Sequence, residues 1–341
     1  MWATLGLAPA AIAVHYAGGI GDVGDFVLSA LALVPLAWLI GEATEHAAHH
    51  TGPGIGGFLN ATFGNAPELI IALFAVSDGL TEVVRGSLTG SVIGNLLLVL
   101  GFSLLFGGDG QLDRPSSRRA LAIVALSVCL FLITAAPSWS GDPERHSLAV
   151  LTLPVAIVLL VLYSVVTYHS LRRHHAQHVS DEAPFMEAWS LRASLFVLGA
   201  ATAVTALIAE ILVGSIEHFA ESAHLSDFFV AAVIVAIVGN AAEHGGAVVV
   251  AARGKITLAA EIALASSAQV AVFLIPAVAL LSWLIDPLAL SFRPVELAAL
   301  GASTVFTAGL LADGRSSRVK GTLLIAAYVG AAVVFFVAGD R

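Results

Sequence analysis

The sequence predicts an all-α polytopic membrane protein of about 11 transmembrane helices, arranged as one N-terminal helix plus two inverted five-helix repeats. Three observations predict it. First, 58% of the 341 residues are apolar and only 11% are charged, whereas soluble domains carry about a quarter charged residues; mean hydropathy is +0.93. Second, apolar runs of about 20 residues, enough to cross a hydrocarbon core as a helix, recur along the chain. Third, one short polar signature occurs twice, each time inside such a run.

The runs cover roughly residues 2–17, 25–47, 55–78, 84–107, 118–137, 147–170, 190–214, 227–252, 256–283, 291–311 and 320–338. Gly, Pro and charge mark the breaks: GGIGDVG, HHTGPG, the stretch 109–119, SGDPER, the polar segment 171–188, RGK and ADGRSSR. Strands are excluded because an open sheet leaves backbone groups unsatisfied in lipid, and the runs are too long for barrel strands. No Lys or Arg precedes the first apolar stretch, so no cleavable signal peptide is expected. The single Cys129 excludes an intramolecular disulfide and reads as a small hydrophobe.

Lys and Arg set the orientation. With eleven spans, the N-terminal side receives Arg114, Arg118, Arg119, Arg172, Arg173, Arg192, Arg253, Lys255, Arg315, Arg318 and Lys320, and the other side Arg85, Arg145, Arg293 and Arg341. This asymmetry places the N-terminus in the cytoplasm and the C-terminus outside. Short loops and an Ala/Gly/Arg-rich composition suggest a bacterial inner membrane.

Segment 64–68 reads Gly-Asn-Ala-Pro-Glu and segment 239–243 reads Gly-Asn-Ala-Ala-Glu; at the same offset Ala72 matches Ala247, Gly79 matches Gly254 and Ser91 matches Ser266. Glu45-His46 and Glu217-His218 form a second pair one span upstream. The expected division is an N-terminal helix over 1–24, a first five-helix repeat over 25–170, a polar His-containing cytoplasmic linker over 171–189 and a second repeat over 190–341. Five is odd, so the second copy starts from the opposite face. Inverted repeats with helices broken near mid-membrane are how many secondary transporters expose one site to either side in turn.

Glu68 and Glu243 each sit near the middle of an apolar run. A charge there costs about 3 kcal/mol on insertion scales, which marks it as functional by default; two at matched positions make accident implausible. Gly64 and Pro67 loosen the helix around Asn65, as Gly239 and Gly245-Gly246 do around Asn240. Carboxylates, amide oxygens and freed carbonyls suit Ca²⁺, which takes six to eight oxygens, and offer nothing to a soft metal. A carboxyl in a low-dielectric site favours its protonated form and a bound dication favours the ionised form, so one site that holds either Ca²⁺ or H⁺ yields exchange. His244, beside Glu243, could tune that carboxylate or relay protons.

The segments GGFLNATFGNAPELIIAL (56–73), GSVIGNLLLVLG (90–101), GNAAEH (239–244) and SSAQVAVFLIP (266–276) resemble the cation/proton exchanger branch of the Ca²⁺:cation antiporter superfamily, as does GEATEHAAHHTGPGIGG (41–57). The resemblance covers most of both repeat cores. It implies that Glu68 and Glu243 bind Ca²⁺ and protons; that Asn65, Asn240, Asn95, Ser91, Ser266, Ser267 and Gln269 line the site; and that 25–47 and 190–214 are mobile gating helices with Glu45 and Glu217 at their ends near the ion entrances. Sodium-coupled relatives carry a Thr-Ser version of the repeat, so Asn65 and Asn240 favour protons as counter-ion.

Rival readings are a Na⁺- or K⁺-coupled exchanger, a passive cation channel and a di-iron membrane enzyme built on the HxxHH of His46, His49 and His50. That enzyme needs about eight histidines in three boxes, and the cluster His169, His174, His175 and His178 does not repeat the spacing. HExxH is absent, which disfavours a zinc protease. The blander account is a wet helix end at 46–50 and a solvated connector downstream. The chain is thus expected to be no enzyme and to need no cofactor; its partners are Ca²⁺, H⁺ and lipid, without nucleic acid, and homo-oligomerisation is left open.

Overall fold

The computed structural model describes residues 2–18, 20–177 and 189–340, without the side chains of 52–58, 60, 61, 169–177, 242 and 243. The histidines at 169, 174, 175 and 178, and most of the expected linker, therefore lie outside the described residues or side chains.

A 3₁₀ turn (Trp2–Gly6) leads into α1 (Leu7–Tyr16), then α2 (Gly21–Phe63), α3 (Ala66–Ser77) and α4 (Thr81–Ile93). A π turn over Gly94–Val99 carries α4 into α5 (Leu100–Gly107). Strand β1 (Gly110–Gln111), α6 (Arg114–Ala135), a 3₁₀ turn (Ala136–Trp139) and α7 (His146–Gln177) follow. Ser190 accepts a hydrogen bond from the Ala193 N–H (3.3 Å) and caps α8 (Leu191–Ala223). Beyond it, α9 (Asp227–Phe229), a π turn (Val230–Val235), α10 (Ala236–Gly239) and α11 (Ala241–Ala252) form one interrupted passage. Then come α12 (Ile256–Gln269), a π turn (Val270–Leu274), α13 (Ile275–Leu281), α14 (Pro294–Leu310), β2 (Arg315–Ser316) and α15 (Arg318–Ala338).

Among the described residues, seven helices are long and apolar enough to cross a membrane, or up to eight counting one bent pair. This is a mostly helical, polytopic membrane protein. The eleven spans expected from the sequence are therefore not confirmed as a count: the run at 291–311 is a helix of only 17 residues, Pro294–Leu310, short of a span, and three further runs differ. The first run is a 3₁₀ turn plus only 10 residues of α-helix. The expected break at HHTGPG is absent, and α2 runs 43 residues; glycine and proline lower helix propensity, a weak prior that does not by itself end a helix. The third and eighth runs are instead broken internally, at Gly64-Asn65 and by a 56° bend between Asp227–Gly239 and His244–Ala252.

Helices α2 and α8 run antiparallel. Asp22 approaches His218 (3.8 Å) and Phe26 stacks on Phe219 (4.0 Å between centroids) at one end. His46 stacks on Trp189 (4.5 Å) and His50 Nε2 meets Trp189 O (2.6 Å) at the other.

The loops gather into two sets. In one, β1 pairs antiparallel with β2, Arg114 donates to Ala312 O (3.0 Å) and Thr257 Oγ1 to Gln111 O (2.8 Å). In the other, Thr81 donates to Glu144 (2.5 Å), Arg293 to Gly339 O (2.7 Å), and Asp340 accepts from the Phe228 N–H (2.9 Å). The spans Thr81–Gly107 and Ile256–Leu284 are the most enclosed, while α7 and α15 present most of their surface outward.

Candidate functional site

The site forms where both copies of the repeated signature interrupt their helices. Asn65 (φ −97°, ψ 13°) and Asn240 (φ −92°, ψ 4°) adopt nearly the same bridge-region backbone. Each carbonyl restarts a helix: Asn65 O accepts from the Leu69 N–H (3.0 Å) and Asn240 O from the His244 N–H (2.9 Å). Glu68 is thereby the third residue of α3 and Glu243 the third of α11. A helix broken inside a span leaves terminal backbone groups at membrane depth, tolerable only where they meet protein, water or an ion.

The enclosed spans meet these breaks. Asn240 Nδ2 donates to Ser91 Oγ (2.9 Å) and to Ala236 O (3.0 Å). Asn95 Nδ2 donates to Ser266 Oγ (3.1 Å) and, longer, to Asn240 Oδ1 (3.4 Å). Ser267 Oγ donates to Ala263 O (3.1 Å) and reaches Val92 O (3.4 Å). Every pair except Asn240–Ala236 and Ser267–Ala263 joins one half of the chain to the other. Asn65, Glu68, Ser91, Asn95, Asn240, Ser266 and Ser267 are all buried. Gln269 is half-buried at the last residue of α12.

Glu68 reaches this junction through a glycine. A Cβ on Gly239 would stand 3.1 Å from Glu68 Cγ and 3.7 Å from its Cδ, so the first-half carboxylate packs against the second-half break. Glu243 lies in α11, but its side chain is outside what the structure describes. The donor set fits a hard cation: one carboxylate, amide and hydroxyl oxygens, and no thiolate. One acceptor, Asn95 Oδ1, is buried with no hydrogen-bond partner among the described residues; such an orphan costs about 1–3 kcal/mol unless a ligand satisfies it. His244 is half-buried, and its Nε2 has no partner among the described residues.

Other expected residues stand elsewhere. Glu45 and Glu217 are exposed on α2 and α8. Glu45 is not at a helix end, because α2 continues to Phe63. The HxxHH segment lies inside α2 rather than at a helix end; His46 is buried against Trp189, whereas His49 and His50 are exposed.

Two features were missed. One is the pair of π turns at Gly94–Val99 and Val270–Leu274, each just past the Ser91 or Ser266 position; π turns cluster at functional sites, but nothing in the sequence separates them from α-helix. The other is a buried charge cluster. Arg85 and Arg293, read as loop charges, are 2% and 7% exposed. Arg85 bonds Glu82 and Ser291; Arg293 bonds Glu296 (2.6 Å), approaches Glu82 (3.9 Å) and lies 4.1 Å over the Phe228 ring. The available signal was the i, i+3 spacing of Glu82–Arg85 and of Arg293–Glu296.

Comparison with known proteins decides the family. The model of the sodium/calcium exchanger protein family matches residues 23–172 and 193–337. The chain belongs to this family. Curated relatives include a Ca²⁺/H⁺ antiporter of Synechocystis sp., 37% identical over 352 residues and covering 96% of this chain and 94% of the relative. The Ca²⁺/H⁺ antiporter ChaA of Bacillus subtilis is 37% identical over 323 residues, covering 91% of each. The solved structure of native YfkE superposes with a TM-score of 0.82 at 33% identity, covering 98% of both chains. A crystal structure of the H⁺/Ca²⁺ exchanger CAX shares the fold (TM-score 0.74, 15% identity, 99% of this chain and 91% of the other). A family of membrane transporters leaves no place for the di-iron enzyme.

Proposed function

We propose that this chain is a secondary active antiporter that exchanges Ca²⁺ for H⁺ by alternating access, with Glu68 and Glu243 as the carboxylates that hold either ion. The observation that carries the reading is the cross-half junction: Glu68 against Gly239, with the amides of Asn95 and Asn240 bonded to the hydroxyls of Ser266 and Ser91. The relatives named as Ca²⁺/H⁺ antiporters support the ion pair.

Asn65, Asn95, Asn240, Ser91, Ser266, Ser267 and Gln269 complete the site. Ca²⁺ entering it takes the orphaned Asn95 oxygen and the carboxylates as ligands and expels their protons. Proton return lowers the ligand charge and releases Ca²⁺. His244 tunes or relays these protons, and Glu45 and Glu217 gather cations at the two entrances.

The architecture is an N-terminal helix followed by five-helix copies over 25–170 and 190–341, with 171–189 as the linker. Antiparallel α2 and α8, the matching Asn65 and Asn240 backbones and the two loop sets support the inverted arrangement. The more basic loop set is cytoplasmic, the C-terminus is outside, and the host membrane is a bacterial plasma membrane.

The test is reconstitution into vesicles with an imposed pH gradient, following Ca²⁺ uptake. Uptake should require the gradient, should need neither Na⁺ nor K⁺, and should fall to background in Glu68→Gln and Glu243→Gln. Sodium-driven uptake would overturn the counter-ion, uptake without any counter-ion would indicate a channel, and full activity in either variant would remove the proposed ligands.

A further inference from the structure

Helices α6 and α14 meet along a seam whose two halves differ. On the side of the Arg293 loop it is closed: the Phe131 and Phe292 rings lie 5.2 Å apart, and Thr134 Oγ1 donates to Leu290 O (2.9 Å). On the β1–β2 side small residues face each other, Ala122 and Ala125 against Thr304 and Ala308, leaving an apolar groove of about 300 Å³ with Arg118 in its wall. Arg118 is exposed, and among the described residues it makes no ion pair or hydrogen bond. Its neighbours are engaged: Arg114 with Ala312 O (3.0 Å), Arg119 with Pro115 O (3.1 Å) and Lys320 with Asp313 (2.5 Å). An apolar slot between two apolar helices of a membrane protein, with the exposed Arg118 guanidinium near the loop side, is complementary to a molecule that is apolar at one end and anionic at the other. Basic pockets between transmembrane helices recognise anionic head groups in this way.

We propose that this groove binds an anionic phospholipid, one acyl chain lying between α6 and α14 and the phosphate on Arg118. A zwitterionic lipid of equal chain length gains the apolar contact but less from the guanidinium, and free phosphate gains nothing from the slot. The test is thermal unfolding of the delipidated full chain in detergent, with phosphatidylglycerol, with phosphatidylcholine of the same chains and with inorganic phosphate. Phosphatidylglycerol should raise the midpoint by several degrees, phosphatidylcholine by clearly less and phosphate not at all. Arg118→Gln should reduce the phosphatidylglycerol shift to that of phosphatidylcholine, Arg118→Lys should retain the difference, and Ala125→Phe, which fills the slot, should abolish both shifts. Should Ala125→Phe not fold, the two Arg118 variants carry the test alone. Equal phosphatidylglycerol shifts in the parent and Arg118→Gln, or a shift from phosphate alone, would overturn the proposal. So would a fall in oligomeric mass by light scattering in Ala125→Phe, which would make a second copy of this chain the occupant.

Discussion

The buried charge cluster on the side away from the β1–β2 ribbon lends itself to a quantitative test. Glu296 is 0% exposed and accepts from Arg293 Nε at 2.6 Å; Arg85 acts on it through space, and Glu82 contacts both arginines. Two carboxylates and two guanidiniums balance. Glu296→Gln preserves shape but leaves one positive charge in excess where water does not reach. Removing one partner of a buried pair costs about 3–5 kcal/mol, or two to three and a half decades in the folding equilibrium. Arg293→Gln leaves the opposite excess and also loses the Phe228 ring and Gly339 O contacts. The double variant restores neutrality, so its cost should fall short of the sum of the singles by about 0.5–3 kcal/mol. The four proteins are compared by denaturant-driven unfolding in mixed micelles, read by circular dichroism. A Glu296→Gln cost under about 1 kcal/mol, or strict additivity in the cycle, would refute the claim that the cluster acts as one neutral unit.

Three further outcomes are expected. A Cβ on Gly90 would fall 2.0 Å from Ala232 O, an immovable backbone atom, so Gly90→Ala should lower stability by about 1–3 kcal/mol in thermal unfolding, whereas Gly199→Ala, which meets open space, should not. Asn240→Ala removes the donor to Ser91 and strands a buried hydroxyl, so it should lower stability in thermal unfolding by about 1–3 kcal/mol, and, as the loss of a proposed ligand, it should weaken apparent Ca²⁺ affinity in vesicle flux. Asp313 in the α14–α15 loop is held below the usual carboxylate value of 3.8 by its hydrogen bond from Lys320. Its stabilising contribution is therefore present above that pH and lost as pH falls through the lowered value, so the protection factors of amides in residues 312–317, with the intrinsic pH dependence of exchange divided out, should be unchanged between pH 7 and 5 and fall only under stronger acid.

Much of the protein was legible in the sequence because a bilayer imposes one-dimensional rules. Apolar run length fixes where the chain can cross, and a carboxylate in such a run must have a purpose. The doubled Gly-Asn-Ala-x-Glu segment drew attention to two positions, and the helices at both copies do break at the asparagine, as Gly64 and Gly239 suggested. The same glycine and proline logic failed at residues 49–54, where α2 continues, because helix-breaking residues express a local preference that neighbours can override. At the HxxHH segment spacing along one helix could not show the contacts that matter: Trp189, far away in sequence, stacks on His46 and meets His50.

By itself, then, the sequence determined the solvent of this protein, its helical class, its repetition and the two acidic positions around which transport is proposed, since composition, run length and self-similarity are properties of the chain. Tertiary structure alone decided which of these polar groups meet. That Asn95 reaches Ser266, that Asn240 reaches Ser91 and that Glu68 packs against Gly239 all depend on residues about 150–170 positions apart meeting in space. It also decided that Arg85 and Arg293 are buried partners rather than loop charges, because only packing determines whether a charge near a helix end faces water or another helix.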